Sequence, residues 1–166
     1  MAHRLTYKSY LDLRRLLSVQ TKKLGTILQE ADLITDSEIR SALQIQVGTP
    51  HLKLGEILAQ QNSIKSKTAD FFARDWSKIV IQSEKDALGY YLEQAAILDR
   101  EQIELILSEQ RSTGIRFGTV AVFQGFLKST TLDFFLANLY PEELNISPFI
   151  NMYRSPDFQI QQKGDL

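Results

Sequence analysis

The chain has 166 residues, 43% of them hydrophobic, and its 19 basic and 20 acidic residues nearly cancel to a net charge of −1. That length supports a real core without metal or disulfide, and the absence of cysteine excludes disulfides, thiolate chemistry and cysteine-ligated zinc. A pI near 6.1 argues against a phosphate-neutralising face, so DNA is not an expected partner.

In chain order, residues 1–22 read as a basic helix. Leu11, Leu13, Leu16 and Leu17 supply an apolar side, and Arg4, Lys8, Arg14, Arg15 and Lys22 face only Asp12 in charge. Such a helix suits a membrane surface, an acidic partner or the acidic remainder of its own chain.

From residue 23 a pattern recurs four times, opening at Lys23-Leu24-Gly25, Lys53-Leu54-Gly55, Ala87-Leu88-Gly89 and Arg116-Phe117-Gly118. In the first copy the apolar beat runs Leu24, Leu28, Leu33-Ile34, Ile39, Leu43 and closes on Gln46; the third runs Leu88, Leu92, Ile97-Leu98, Ile103, Leu107 and Gln110. The second is eroded to Ala69, Ala73 and Trp76, and the fourth ends on Leu132, Leu136 and Leu139. Spacings of 30 and 29 residues within pairs, against 34 between them, give a first pair over 23–76, a connector over 77–86 and a second pair over 87–139. Spacings of three and four predict helix, turn, helix in every copy. Thr35 with Glu38, and Asp99 with Gln102, have capping-box spacing before the second helix of their copies. A repeated unit of this size must stack on its copies to bury its apolar face. The fold class is therefore all-α: four helix-turn-helix repeats in two tandem pairs, with an N-terminal helix and an irregular C-terminal tail. Glycine in Leu-Gly costs a helix about 1 kcal/mol against alanine, which close approach by a neighbouring helix or by a ligand would offset. In the tail, 140–166, Pro141, Pro148 and Pro156 end the helical pattern, while Phe149, Ile150, Met152 and Phe158 are apolar enough to predict docking on the chain itself or on a partner.

The doubled Leu-Gly, leucine, Leu-Ile, leucine, leucine, glutamine arrangement between Lys23 and Leu139 resembles the MshEN-type domain found at the N-terminus of type II secretion and type IV pilus assembly ATPases. The polar connector Arg111-Ser-Thr-Gly-Ile115 strengthens the likeness. The resemblance implies a receptor for cyclic di-GMP. It implies ligand contacts in the first pair from Lys23, Leu24, Gly25, Leu28, Ile39, Leu43 and Gln46, then Lys53, Leu54 and Gly55. In the second pair it implies Leu88, Gly89, Leu107 and Gln110, then Arg116, Phe117, Gly118 and Gly125. Four polar positions that the family prefers are altered, at Lys23, Lys53, Trp76 and Ala87, and Asp32 and Asn62 stand where glycine is expected ten residues into a copy.

The chemistry of such a site follows from the residue types. Lysine keeps a cation's charge but lacks the arginine fork that pairs two acceptors on a guanine edge. Leucines would supply an apolar bed, and glutamine amides an edge partner.

No catalytic constellation appears. His3 and His51 stand in a leader and a spacer, and no phosphate-cradling loop with lysine and Ser/Thr is present. The expectation is a non-catalytic, cofactor-free regulatory module acting as an adaptor for a protein partner in a cytoplasmic assembly such as a pilus or secretion system. The alternative is a cyclic di-GMP receptor that passes the signal to a partner. No segment approaches the ~20 apolar residues of a membrane span, and the start lacks a signal-peptide core, so a cytoplasmic location is expected.

Overall fold

A computed structural model describes residues 22–141. The leader, apart from Lys22, and the tail, apart from Tyr140 and Pro141, lie outside the described residues. The described part is all-helical and divides into two compact units at Lys85/Asp86.

The first unit contains α1 (Leu24–Glu30), α2 (Asp36–Gly48), α3 (Leu54–Gln60), α4 (Ser66–Asp70), a π-helical turn (Phe71–Asp75) and α5 (Trp76–Ile81). The second contains α6 (Leu88–Gln94), α7 (Arg100–Thr113), α8 (Phe117–Phe123) and α9 (Ser129–Leu139). Each unit thus holds two helix-turn-helix repeats. Helix in the first unit continues to Ile81, five residues into the stretch assigned from sequence to the connector.

One turn joins the helices of every repeat, and its hydrogen bonds explain why. The N–H groups of Leu33, Ser63, Ile97 and Phe126 each donate to the carbonyl five residues back, on Leu28, Leu58, Leu92 and Ala121. The residue before each donates to the carbonyl three back, which completes a Schellman motif. That motif needs a left-handed residue, supplied by Asp32, Asn62, Ala96 and Gly125 at φ of 54°, 58°, 53° and 72°. Asp and Asn tolerate this region and glycine prefers it, whereas Ala96 carries strain of about 1 kcal/mol. Both predicted capping boxes form: Glu38 N–H donates to Thr35 Oγ1 at 3.3 Å and Gln102 N–H to Asp99 Oδ1 at 2.8 Å. In the other two repeats a lysine, Lys65 or Lys128, holds the N-cap position without a side-chain capping hydrogen bond.

The core repeats with the sequence, and in the second helix of each repeat it includes the residue just before a beat position. With the residue before Leu-Gly or Phe-Gly as position one, Ala42, Phe72, Ile106 and Phe135 stand at position 20 and are 0, 2, 0 and 0% exposed. Their successors, Leu43 and Leu107, are 46 and 38% exposed. The recurring leucine at this position in each pair's first repeat therefore faces outward.

All four Leu-Gly or Phe-Gly glycines are buried, and neighbouring side chains fill the place a side chain would take. A Cβ on Gly25 would overlap Ile39, one on Gly55 would stand 2.9 Å from Ala69 Cβ, one on Gly89 3.0 Å from Phe117 Cζ, and one on Gly118 2.6 Å from Leu132 Cδ1. Close helix approach accounts for these glycines.

The second repeat departs from the others at the π turn, where Trp76 N–H reaches back five residues to Phe71 O. The wider turn lags the helix, so Trp76 rotates inward and is 1% exposed. There it packs on Phe72 and Phe71 at ring-centroid distances of 5.3 and 6.1 Å. Trp76, which stands in the sequence at the place of the closing glutamine, is thus a core residue.

Candidate functional site

The first unit carries an open depression of about 500 Å³ at the second repeat. Leu24, Gly55, Ala69 and Ala73 form its apolar part; Lys53, Glu56, Ser66, Asp70 and Arg74 form its polar rim. Leu24 comes from α1, Lys53 precedes α3, Gly55 and Glu56 lie in its first turn, and the remaining wall is α4 and the π turn. The depression exists because the second repeat is eroded. Ala69 and Ala73 stand where the first repeat carries Ile39 and Leu43, so six side-chain carbons are missing.

The rim charges differ in their engagement. Arg74 Nη2 pairs with Asp70 Oδ1 at 3.3 Å across one helical turn. Glu56 Oε2 accepts the Lys53 backbone N–H at 2.7 Å, closing the start of α3. The Lys53 ammonium is exposed, and its residue bonds through the main chain only.

Of the residues singled out in the sequence, the structure brings Leu24, Lys53 and Gly55 into this depression. Leu54 and Ile39 converge instead on Gly25, and Phe117 covers Gly89. Lys23 and Arg116 are exposed at the starts of α1 and α8, and Leu88 is half-buried at the start of α6. Gln46 spends its amide on the chain, donating Nε2–H to Leu52 O at 3.2 Å and tying down the spacer before α3. The Gln110 carbonyl accepts the Gly114 N–H at 2.8 Å, part of the left-handed stop of α7. Leu28 is 0% exposed, and Gly125 is the left-handed turn residue of the fourth repeat at φ 72°, with open space around it.

Sequence reading did not single out Ser66, Asp70, Ala73 and Arg74 as site residues. The signal available was the pair of alanines at beat positions otherwise held by large side chains. The π turn that presents Ala73 and Arg74 had no sequence signature.

A second surface feature belongs to α2. This helix of 13 residues buries fully only Ala42 and leaves Leu43, Ile45 and Val47 at 46, 40 and 84% exposure. Leu43 and Val47 are one turn apart on one face, in line with half-buried Ile39. Among the described residues no helix is long and apolar enough to cross a membrane.

An uncharacterized protein of the cyanobacterium Picosynechococcus sp. is 35% identical over 140 residues, an alignment that covers 84% of this chain and 76% of that protein. The chain belongs to that protein's family. The alignment is long enough to span both units of the fold. No family model and no solved structure matches the chain.

Proposed function

We propose that this chain is a non-catalytic interaction module that binds a protein partner through the outward apolar face of α2. The observation that carries the reading is the exposure of Leu43 and Val47 on a single face of a helix in which Ala42 is the fully buried residue. Side chains of that size on adjacent turns lose water at little entropic cost when a partner covers them, and contiguous apolar patches on soluble folds mark such contacts. A cytoplasmic assembly, such as a pilus or secretion system, is the setting that the MshEN resemblance suggests.

Photo-crosslinking tests the reading. A benzophenone amino acid at position 47, in cells producing the full chain, is expected to give one discrete heavier adduct. The same probe at position 101, on the polar side of α7, is expected to give none. A ladder of adducts common to both positions would reject a specific partner at α2.

A second reading is supported by the depression, whose lining includes Leu24, Lys53 and Gly55, three residues that the resemblance implies for cyclic di-GMP. Calorimetric titration with cyclic di-GMP decides it. Saturable heat that disappears in Lys53→Ala would establish the nucleotide, and no heat in large excess would remove it.

A further inference from the structure

The outer faces of α2 and α7, the second helices of the first repeat in each unit, carry one pattern with its charges inverted. Counted from the capping residues Thr35 and Asp99, the same four positions hold Asp36, Arg40, Leu43 and Val47 on α2 and Arg100, Glu104, Leu107 and Arg111 on α7. All eight residues are exposed. Spacings of four, three and four lay each set along a single seam, the spacing by which one helix lies along another. The order is acid, base, leucine on α2 and base, acid, leucine on α7.

In a parallel, in-register pair of helices, equivalent seam positions meet in layers. Setting α2 on α7 of a second copy brings Asp36 to Arg100, Arg40 to Glu104 and Leu43 to Leu107, and lays the aliphatic stem of Arg111 beside Val47. Parallel α2 on α2 would oppose Asp36 to Asp36 and Arg40 to Arg40, and parallel α7 on α7 would oppose Arg100, Glu104 and Arg111 to themselves. Any antiparallel pairing with the seams in full overlap lays Arg40 or Glu104 on a leucine, which removes water from a charge without a partner. Charge therefore selects α7 as the mate of α2. The contacts these charges make within the chain are exposed ones: Asp36 Oδ1 accepts from Gln29 Nε2 at 2.5 Å, and Arg100 Nε pairs with Glu104 Oε1 at 3.1 Å. Exposed pairs of this kind contribute little and rearrange readily.

Resting on the reading that α2 docks a protein, we propose that its partner is a second copy of this chain, which presents α7 to α2 in parallel register. The two surfaces differ, so the contact is heterologous. Each copy keeps an α2 and an α7 for further neighbours, and growth passes beyond the dimer. One helix on each side makes a small interface, of the weak and reversible class.

Sedimentation velocity of the full chain from about 5 to 500 μM, the range in which a small interface assembles, is expected to show a mean mass that rises with concentration. Exchanging the charges of one seam, by Asp36→Arg with Arg40→Glu or by Arg100→Asp with Glu104→Arg, puts like charges in two layers and is expected to weaken self-association at least about tenfold. The α7 exchange places an acid in the first turn of its helix, where the dipole favours it, so that variant decides the matter if the α2 exchange fails to fold. Mixing the two double variants is expected to restore association, because each supplies the seam that the other needs. The proposal is overturned by a chain that stays monomeric throughout, by double variants that associate like the parent, or by a mixture of folded variants that recovers nothing. Crosslinking at position 47 separates this proposal from the reading on which it rests. An adduct of twice 19.0 kDa agrees with both, a discrete adduct of another mass overturns the second copy and leaves the interaction module intact, and no adduct removes both.

Discussion

Leu24 lies over Gly55, and a Cβ added to Gly55 would stand 3.3 Å from Leu24 Cδ2. The reverse relation holds between Leu54 and Gly25, at 3.4 Å, so the two repeats of the first unit exchange equivalent contacts. Each leucine closes over the bare backbone that its own repeat's glycine reproduces for the other. Gly55→Ala is expected to break this arrangement, because the new methyl would meet Ala69 Cβ at 2.9 Å and alanine has no rotamer through which to retreat. The helices must part, at a cost of about 1–3 kcal/mol. Urea denaturation should show a lower midpoint for Gly55→Ala and no loss for Gly48→Ala, where nothing lies within 4 Å of the added carbon.

Ala96 is the left-handed turn residue of the third repeat at φ 53°, and it lacks the polar side chain that eases this conformation in Asp32 and Asn62. Ala96→Gly should stabilise the second unit by at most about 0.5 kcal/mol, because the higher entropy of unfolded glycine offsets much of the strain removed. Gly125→Ala should move stability in the opposite direction by a similar amount. Thermal unfolding of the two variants beside the parent chain measures both, and a lower melting temperature for Ala96→Gly would contradict the turn assignment.

Most of the architecture could be read from the residues. The recurring Leu-Gly or Phe-Gly, the three-and-four spacing and the Thr35 and Asp99 caps lead to four two-helix units, because each is a local signal acting over a few residues. Asp32 and Asn62, which look like departures from a glycine position, do the same left-handed work as Gly125. What was not legible depends on competition between neighbours. Leucine at positions 43 and 107 looks like core, yet Ala42 and Ile106 take the interior there and the leucines are 46 and 38% exposed. Trp76 looks like a surface substitution until the π turn rotates it inward. The depression follows from Ala69 and Ala73, and the absence of bulk is a weak sequence signal.

Lys85 closes the C-terminus of α5 by donating from Nζ to Ile79 O at 2.7 Å, to Val80 O at 3.2 Å and to Gln82 O. Ile79 O also accepts the Gln82 N–H at 3.2 Å, and a cation at this end of the helix opposes the negative end of the helix dipole. Lys85→Met keeps the aliphatic stem and removes the donors, and is expected to cost about 1 kcal/mol. Hydrogen exchange should speed up at Val80 and Ile81 in this variant while α1 is unchanged. Unaltered exchange at those amides would show that solvent satisfies the carbonyls equally well.

The second unit is fastened at its start by two tyrosines. Asp86 N–H donates to Tyr91 Oη at 2.9 Å, and Tyr140 Oη donates to Asp86 O. Tyr91 is 2% exposed, so its hydroxyl is held from the core side. Tyr140→Phe keeps the ring and loses one bond to a main-chain carbonyl, a change of about 1 kcal/mol. The loss should appear as a lower denaturation midpoint, and a midpoint equal to the parent's would show that water replaces the tyrosine hydroxyl.

The claim on which the functional reading stands is that Leu43 and Val47 serve a partner and not the core. The double variant Leu43→Ser, Val47→Ser tests it when thermal stability and retention of the partner crosslinked through α2 are measured on the same preparation. The account predicts a melting temperature close to the parent's, since these side chains are 46 and 84% exposed, together with at least about a tenfold loss of partner affinity. A folded double variant that retains its partner undiminished, or one that unfolds as readily as a core variant such as Leu28→Ala, would contradict it.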